Sequence, residues 1–119
     1  MRSTFYNNVI TIISNIPQGK VLTYGAVATL AGNPHGARTV SWILSSSTKK
    51  YKLPWFRVVN SKGEISFKNT DDLNEQKNLL LNEGIIFLNN KIPLPEYLWE
   101  ISSIKDITTN AERNREYND

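Results

Sequence analysis

The sequence predicts a mainly α domain with small β-hairpins, in which a helix-turn-helix is followed by a hairpin wing. Three observations carry that reading. Apolar residues recur at helical spacing near the N-terminus, two short helical runs are separated by Gly32-Asn33-Pro34, and a β-branched pair, Val58-Val59, runs into the turn-prone Asn60-Ser61-Lys62-Gly63. At 119 residues the chain supports one domain with a modest core. We assign residues 1–100 to that domain and 101–119 to a polar, disordered tail.

The first helix is expected from about Ser3 to Ile16, with Phe5, Val9, Ile12, Ile13 and Ile16 on one face and Pro17-Gln18-Gly19 as its stop. Thr23 is a natural N-cap for a second helix through Tyr24, Val27, Ala28, Leu30 and Ala31. Gly32-Asn33-Pro34 ends it, and a third helix beginning near His35 or Gly36 carries Ala37, Val40, Ile43 and Leu44 inward. Ser45 to Lys50 reads as a polar loop.

Pro54 then fixes its own φ and holds Leu53 extended, so Trp55 is presented on stiff backbone. Val58-Val59 should form a strand that turns at Ser61-Lys62-Gly63 and returns through Ile65 and Phe67. A helix from about Leu73 to Leu81 closes on Glu83-Gly84, and Ile85–Leu94 forms a terminal hairpin around Asn89-Asn90. Pro95 to Trp99 folds back over the domain with Trp99 as an apolar plug, and the tail starts near Ser102.

Composition narrows the chemistry. The chain has no cysteine, which excludes disulfides, thiolate metal ligation and a thiol nucleophile. Its one histidine, His35, is too little for a zinc site or a histidine triad, and no metal or cofactor is expected. No apolar run approaches the ~20 residues of a membrane span, and the N-terminal stretch lacks a secretion signal. The expected location is the cytoplasm, on the nucleoid, in a bacterium, or the nucleus in a eukaryote.

Charge is concentrated. From Arg38 to Lys68 there are seven basic residues against one acid, Glu64, whereas Ile101 to Asp119 carries four acids and three bases. A basic middle beside a near-neutral remainder is the footprint of a nucleic-acid face. In a helix-turn-helix the N-terminal end of the second helix approaches the duplex. Gly36 and Ala37 would allow that approach, Arg38 follows them, and Lys62 and Lys68 on the wing suit phosphate contacts.

Five segments in order then carry a resemblance: Gly19-Lys20-Val21-Leu22-Thr23-Tyr24-Gly25, Leu30-Ala31-Gly32-Asn33-Pro34, Ala37-Arg38, Pro54-Trp55-Phe56-Arg57-Val58-Val59 and Leu80-Leu81-Asn82-Glu83-Gly84. Across about residues 5–99 the chain resembles the DNA-binding domain of the O6-alkylguanine-DNA alkyltransferases, and more closely the alkyltransferase-like proteins. The transferases carry Pro-Cys-His-Arg-Val where this chain has Pro54-Trp55-Phe56-Arg57-Val58. Trp55 stands at the alkyl-accepting cysteine and Phe56 at its histidine. An indole N–H only donates a hydrogen bond, and a phenyl ring relays no proton.

The resemblance therefore implies a non-enzymatic protein with no catalytic residue. It would bind O6-alkylguanine in double-stranded DNA by nucleotide flipping, act as a monomer away from membranes, and direct lesions to nucleotide excision repair proteins. By the same resemblance Tyr24 crowds the phosphate and promotes rotation, and Arg38 fills the vacated stack. Trp55 lines the lesion pocket with Tyr24, Pro54, Val58, Val59 and Lys68, the valines through their backbone. Ser47 matches an asparagine that braces the transferase site, and Arg57 and Glu83 remain as structural groups.

Two other functions compete. A general winged-helix DNA binder would need base-reading side chains on the third helix, which after Arg38 offers Thr39, Ser41, Trp42 and Ser45. A self-alkylating transferase would need the missing thiol.

Overall fold

The computed structural model describes residues 3–65 and 69–107, and its element order follows the local chemistry. Helix α1 spans Thr4–Ser14, where the Ser3 hydroxyl accepts from the Tyr6 N–H at 3.1 Å. Strand β1, Leu22–Thr23, runs directly into α2, Tyr24–Ala31. Thr23 caps α2 by accepting from the Ala26 N–H at 3.1 Å, and Gly32 ends it at φ 110°, the left-handed region that glycine enters freely. Helix α3, Ala37–Tyr51, starts after Gly36, so α2 and α3 make the expected helix-turn-helix.

A 3-10 turn at Trp55–Arg57 leads into strand β2, Val58–Val59, followed by α4, Thr70–Asn82, and the single turn α5, Leu94–Tyr97. The two strands pair in parallel, Leu22 opposite Val58 and Thr23 opposite Val59. Side chains alternate across a strand, and here the alternation divides the interior in two. Leu22 and Val58 join the α1–α2–α3 core built on Val9, Ile12, Ile13, Val27 and Val40. Val21 and Val59 join a smaller core with Leu80, Ile85 and Ile92.

Five expectations are corrected. Val58-Val59 finds its strand partner in Leu22-Thr23 and not in a hairpin return among the described residues. The turn forms, with the Asn60 side-chain oxygen accepting from the Lys62 and Glu64 N–H groups at 3.0 and 2.9 Å, but the described residues after it supply no return strand. The ladder groups of Val58-Val59 are satisfied by Leu22-Thr23 instead, and the Gly63 carbonyl accepts from the Ile92 N–H at 2.9 Å. Phe67 lies outside the described residues.

Ser45–Lys50 is helix rather than loop. Ser47 extends the buried face and shares a 2.5 Å hydrogen bond with the Tyr6 hydroxyl, and the Thr48 hydroxyl donates back to the Leu44 carbonyl at 2.6 Å. Hydroxyls satisfied within and beneath the helix remove the competition that normally makes serine runs leave it. Helix α4 starts three residues earlier than expected, because Asn69 accepts from the Asp71 N–H at 2.8 Å and two acids fall in the favourable first turn.

The terminal hairpin is reduced to one bridge, Leu88 with Lys91, closed by Asn89 and Asn90, both left-handed as a tight hairpin turn demands. The fold also runs past residue 100. Trp99 donates to the Val21 carbonyl at 3.0 Å and packs on the first core, which Ile101, Ile104 and the buried Ile107 complete. Residues 108–119 of the expected tail lie outside the described residues. Among the described residues, no helix is long and apolar enough to cross a membrane.

Candidate nucleic-acid interface and base cleft

Pro54, at φ −76°, delivers the chain into the 3-10 turn, where the Arg57 N–H donates to the Pro54 carbonyl at 3.0 Å. Trp55 is therefore carried on closed backbone. Its ring is half-buried and stands edge-on to Phe56, with centroids 6.0 Å apart at 90°.

Trp55 forms one wall of an open cleft of about 290 Å³. Tyr24, the first residue of α2, lies on the same lining, with Leu44, Ser41, Ser45 and Thr48 from one side of α3. Asp72 and Glu75, one helical turn apart at the start of α4, close the remaining side. The volume lies at the small end of the ~300–1,000 Å³ range of small-molecule sites. An apolar floor ringed by hydroxyls and carboxylates suits a flat heteroaromatic group with hydrogen-bonding edges.

The expected site residues are only partly assembled. Tyr24 and Trp55 meet at the cleft. Arg38 is exposed at the start of α3, one turn from the cleft-lining Ser41. Ala37 is the first residue of α3, and Lys62 is exposed on the Asn60–Glu64 turn. Neither lines the cleft. Lys68 lies outside the described residues.

Two assignments change, those of Gly36 and Pro54. Gly36 was expected to let a DNA backbone approach, but it is buried, and a Cβ there would stand 2.7 Å from the Phe5 ring, so its smallness serves α1–α3 packing. Val58 and Val59 bring no side chain to the cleft lining, in keeping with an expected role that used only their backbone. Their side chains fill the two cores, and the Val58 carbonyl already accepts from Gln76. Pro54 shapes the turn from behind and is absent from the lining.

What holds Trp55 in place is a set of polar clamps. Gln76, buried in α4, donates at 3.1 Å to both the Phe56 and Val58 carbonyls, which fixes the segment from below. Arg57 ties its own turn to the end of α4 and to the α1–β1 loop. Its Nε lies 3.0 and 3.1 Å from the Glu83 oxygens, its Nη2 pairs with Glu83 Oε2, and its Nη1 donates to the Ile16 carbonyl at 2.9 Å. The Gly19 N–H adds a 3.0 Å bond to Glu83 Oε1, and the guanidinium lies 5.1 Å from the Phe56 ring centroid.

Burial pushes the Glu83 carboxyl up, but the Arg57 hydrogen bonds, the Gly19 N–H and the Arg57 charge outweigh it, and the group is held below its ordinary range. A carboxylate so committed joins the α1–β1 loop, the Trp55 turn and the end of α4. It does not face the cleft.

The sequence reading missed Gln76, Asp72, Glu75 and the hydroxyl row. The row had a signal, since Ser41, Ser45 and Thr48 recur at helical spacing. Gln76 and the two acids had none, because their roles depend on how α4 lies over the Trp55 turn.

Comparison with known proteins places this geometry. The family described as 6-O-methylguanine DNA methyltransferase, DNA binding domain, matches residues 4–85. A DNA base-flipping protein of Vibrio parahaemolyticus is 45% identical over 97 residues, covering 81% of this chain and 96% of the relative. Alkyltransferase-like protein 1 of Schizosaccharomyces pombe is 36% identical over 102 residues, covering 81% of this chain and 94% of that one. The crystal structure of S. pombe Atl1 in complex with damaged DNA containing O6-carboxymethylguanine superposes with a TM-score of 0.74 at 36% identity, covering 85% of this chain and 100% of that chain. With the helix-turn-helix and the cleft beside Trp55 in place, the chain belongs to the 6-O-methylguanine DNA methyltransferase DNA-binding domain family, among its alkyltransferase-like members.

Proposed function

We propose that this protein recognises O6-alkylguanine in duplex DNA by rotating the modified nucleotide into the cleft beside Trp55, and that it transfers nothing. The observation that carries the reading is the shared lining of the cleft by Tyr24 and the half-buried Trp55 in a chain without cysteine. Relatives named as base-flipping and alkyltransferase-like proteins, one of them solved on damaged DNA, support it.

The steps follow from the groups present. Extruding a base costs a few kcal/mol, least where an alkylated edge already weakens pairing. Tyr24 lines the cleft, where it can crowd the nucleotide, and exposed Arg38 lies one helical turn from the cleft-lining Ser41, ready to enter the vacated stack with its planar guanidinium against the bases. The indole then gives the flipped purine and its alkyl group an apolar face. Phe56, packed edge-on against Trp55, supplies no proton relay. The retained lesion would be handed to nucleotide excision repair.

The test is a titration of O6-methylguanine duplex against matched guanine duplex at one stated salt concentration, since phosphate binding shifts steeply with ionic strength. The damaged duplex should bind at least tenfold more tightly, and Arg38→Ala should remove most of the difference. Intact-protein mass after incubation should be unchanged. Equal affinity for the two duplexes would overturn recognition, and an added methyl would overturn the non-enzymatic reading.

A further inference from the structure

Helix α3 carries a feature the cleft does not use. Trp42 is 70% exposed, the most exposed large hydrophobic side chain among the described residues. At about 100° per residue, Arg38, Trp42 and Lys49 fall within roughly 40° of one another around the helix. All three are exposed. The opposite side, Val40, Ile43, Leu44 and Ser47, is buried, and the helix contains no acidic residue.

An indole between two cations on an acid-free helix face is complementary to one kind of surface, a duplex groove whose sugars and base edges are flanked by phosphates. An apolar protein partner would have to bury the Arg38 and Lys49 charges to reach the ring, which is unfavourable without paired acids. The stripe is also continuous with the cleft, because Ser45 lies beside it on the same helix and lines the cavity.

The geometry points to Trp42 as a second DNA contact, a ring that packs into the groove against the sugars and base edges of undamaged pairs flanking the lesion. Trp42 is four residues from Arg38, so it sits about 6 Å further along the helix axis at 1.5 Å per residue. That is nearly two base steps at about 3.4 Å each. With Arg38 in the vacated stack, Trp42 meets the duplex about two pairs away, while Lys49 reaches phosphate.

This inference rests on the DNA-binding part of the proposed function and is independent of lesion recognition. Because the contact is with flanking DNA, Trp42→Ala should weaken damaged and undamaged duplexes by the same factor, about 5- to 100-fold, as expected for losing the burial of a large apolar side chain. Trp42→Phe should recover most of that loss. Salt series separate the roles. Trp42→Ala should leave the slope of log affinity against log salt unchanged, since an indole neutralises no phosphate, whereas Lys49→Ala should reduce it by about one.

Fluorescence anisotropy with the full chain and labelled duplexes of both kinds reads all of these values, and a thermal melt of each variant checks the fold. Unchanged binding by a folded Trp42→Ala protein would overturn the proposal, as would a loss confined to the damaged duplex. So would sedimentation showing a wild-type dimer that Trp42→Ala dissociates, which would make the stripe a self-association surface. If both duplexes bind equally in wild type and both weaken in Trp42→Ala, the groove contact stands and lesion recognition falls.

Discussion

Arg57 and Glu83, 26 residues apart in sequence, meet through both guanidinium Nε and Nη2, and a third nitrogen of the same arginine holds the Ile16 carbonyl. With side-chain exposures of 17% and 9%, both partners are largely shielded, and Glu83 in particular gains little from water if Arg57 is lost. Arg57→Ala should destabilise the protein by about 3 kcal/mol, because it strands a nearly buried carboxylate. Urea denaturation reads the shift, and the damaged-duplex preference should weaken with it as the Trp55 turn loosens.

The same pair sets an acid limit. Glu83 binds its proton more weakly folded than unfolded, so its contribution is present above the ordinary glutamate value of about 4.3 and lost as pH falls through the depressed folded value. The stability gap between wild type and Glu83→Gln should hold constant from pH 7 to about 5 and shrink below about 4.3. Melting curves across that range check the sign, and a gap that widens on acidification would refute it.

Gln76 is a buried amide whose two hydrogen bonds hold the backbone on both sides of Arg57. Gln76→Leu keeps the volume and strips both donors, leaving the Phe56 and Val58 carbonyls short of a partner. The expected loss is about 1–3 kcal/mol, with a larger fall in binding of damaged duplex than of plain duplex.

At Gly36 a methyl group would collide with the Phe5 ring. Gly36→Ala should therefore destabilise by about 1–3 kcal/mol, and Phe5→Leu in the same chain should restore part of it. A double-mutant cycle in thermal melts measures the coupling. Had the glycine served DNA approach, the second substitution would restore nothing.

Asp72 and Glu75 give the cleft an anionic side, which sets a preference among adducts. A neutral O6-methyl group should bind better than an O6-carboxymethyl group that brings its own negative charge. Asp72→Asn or Glu75→Gln should each improve the anionic adduct by about fivefold, the effect of the ~1 kcal/mol that like charges about 4 Å apart exert in water. Competition between the two damaged duplexes reads the ratio.

Local signals carried much of this structure. Thr23, Gly32 and the apolar spacing of α1 act within a few residues of themselves, so their consequences were readable. Trp55 was legible as a presented ring because a proline stiffens the backbone before it, whereas Tyr24 entered the site only through the family resemblance of the Gly19–Gly25 segment. Long-range pairing was not. Val58-Val59 has the composition of a hairpin strand, and only the distant Leu22-Thr23 makes it half of a parallel pair. Ser45–Lys50 looked like a loop until Tyr6 supplied a partner for Ser47. Gly36 looked like a ligand approach because Phe5, far earlier in the chain, was invisible beside it.

The two-residue parallel pair has one more implication. Tyr24 follows β1 directly, and Trp55 precedes β2 by three residues, so the register of Leu22 on Val58 sets how far apart the two cleft aromatics stand. Lengthening the chain by one residue between Thr23 and Tyr24, or between Trp55 and Val58, would shift one ring relative to the other as a rivet hole shifts when a plate is cut short. Insertions at the Asn33-Pro34 bend leave that spacing alone. Natural length variation among proteins of this design should collect there and spare the rivet.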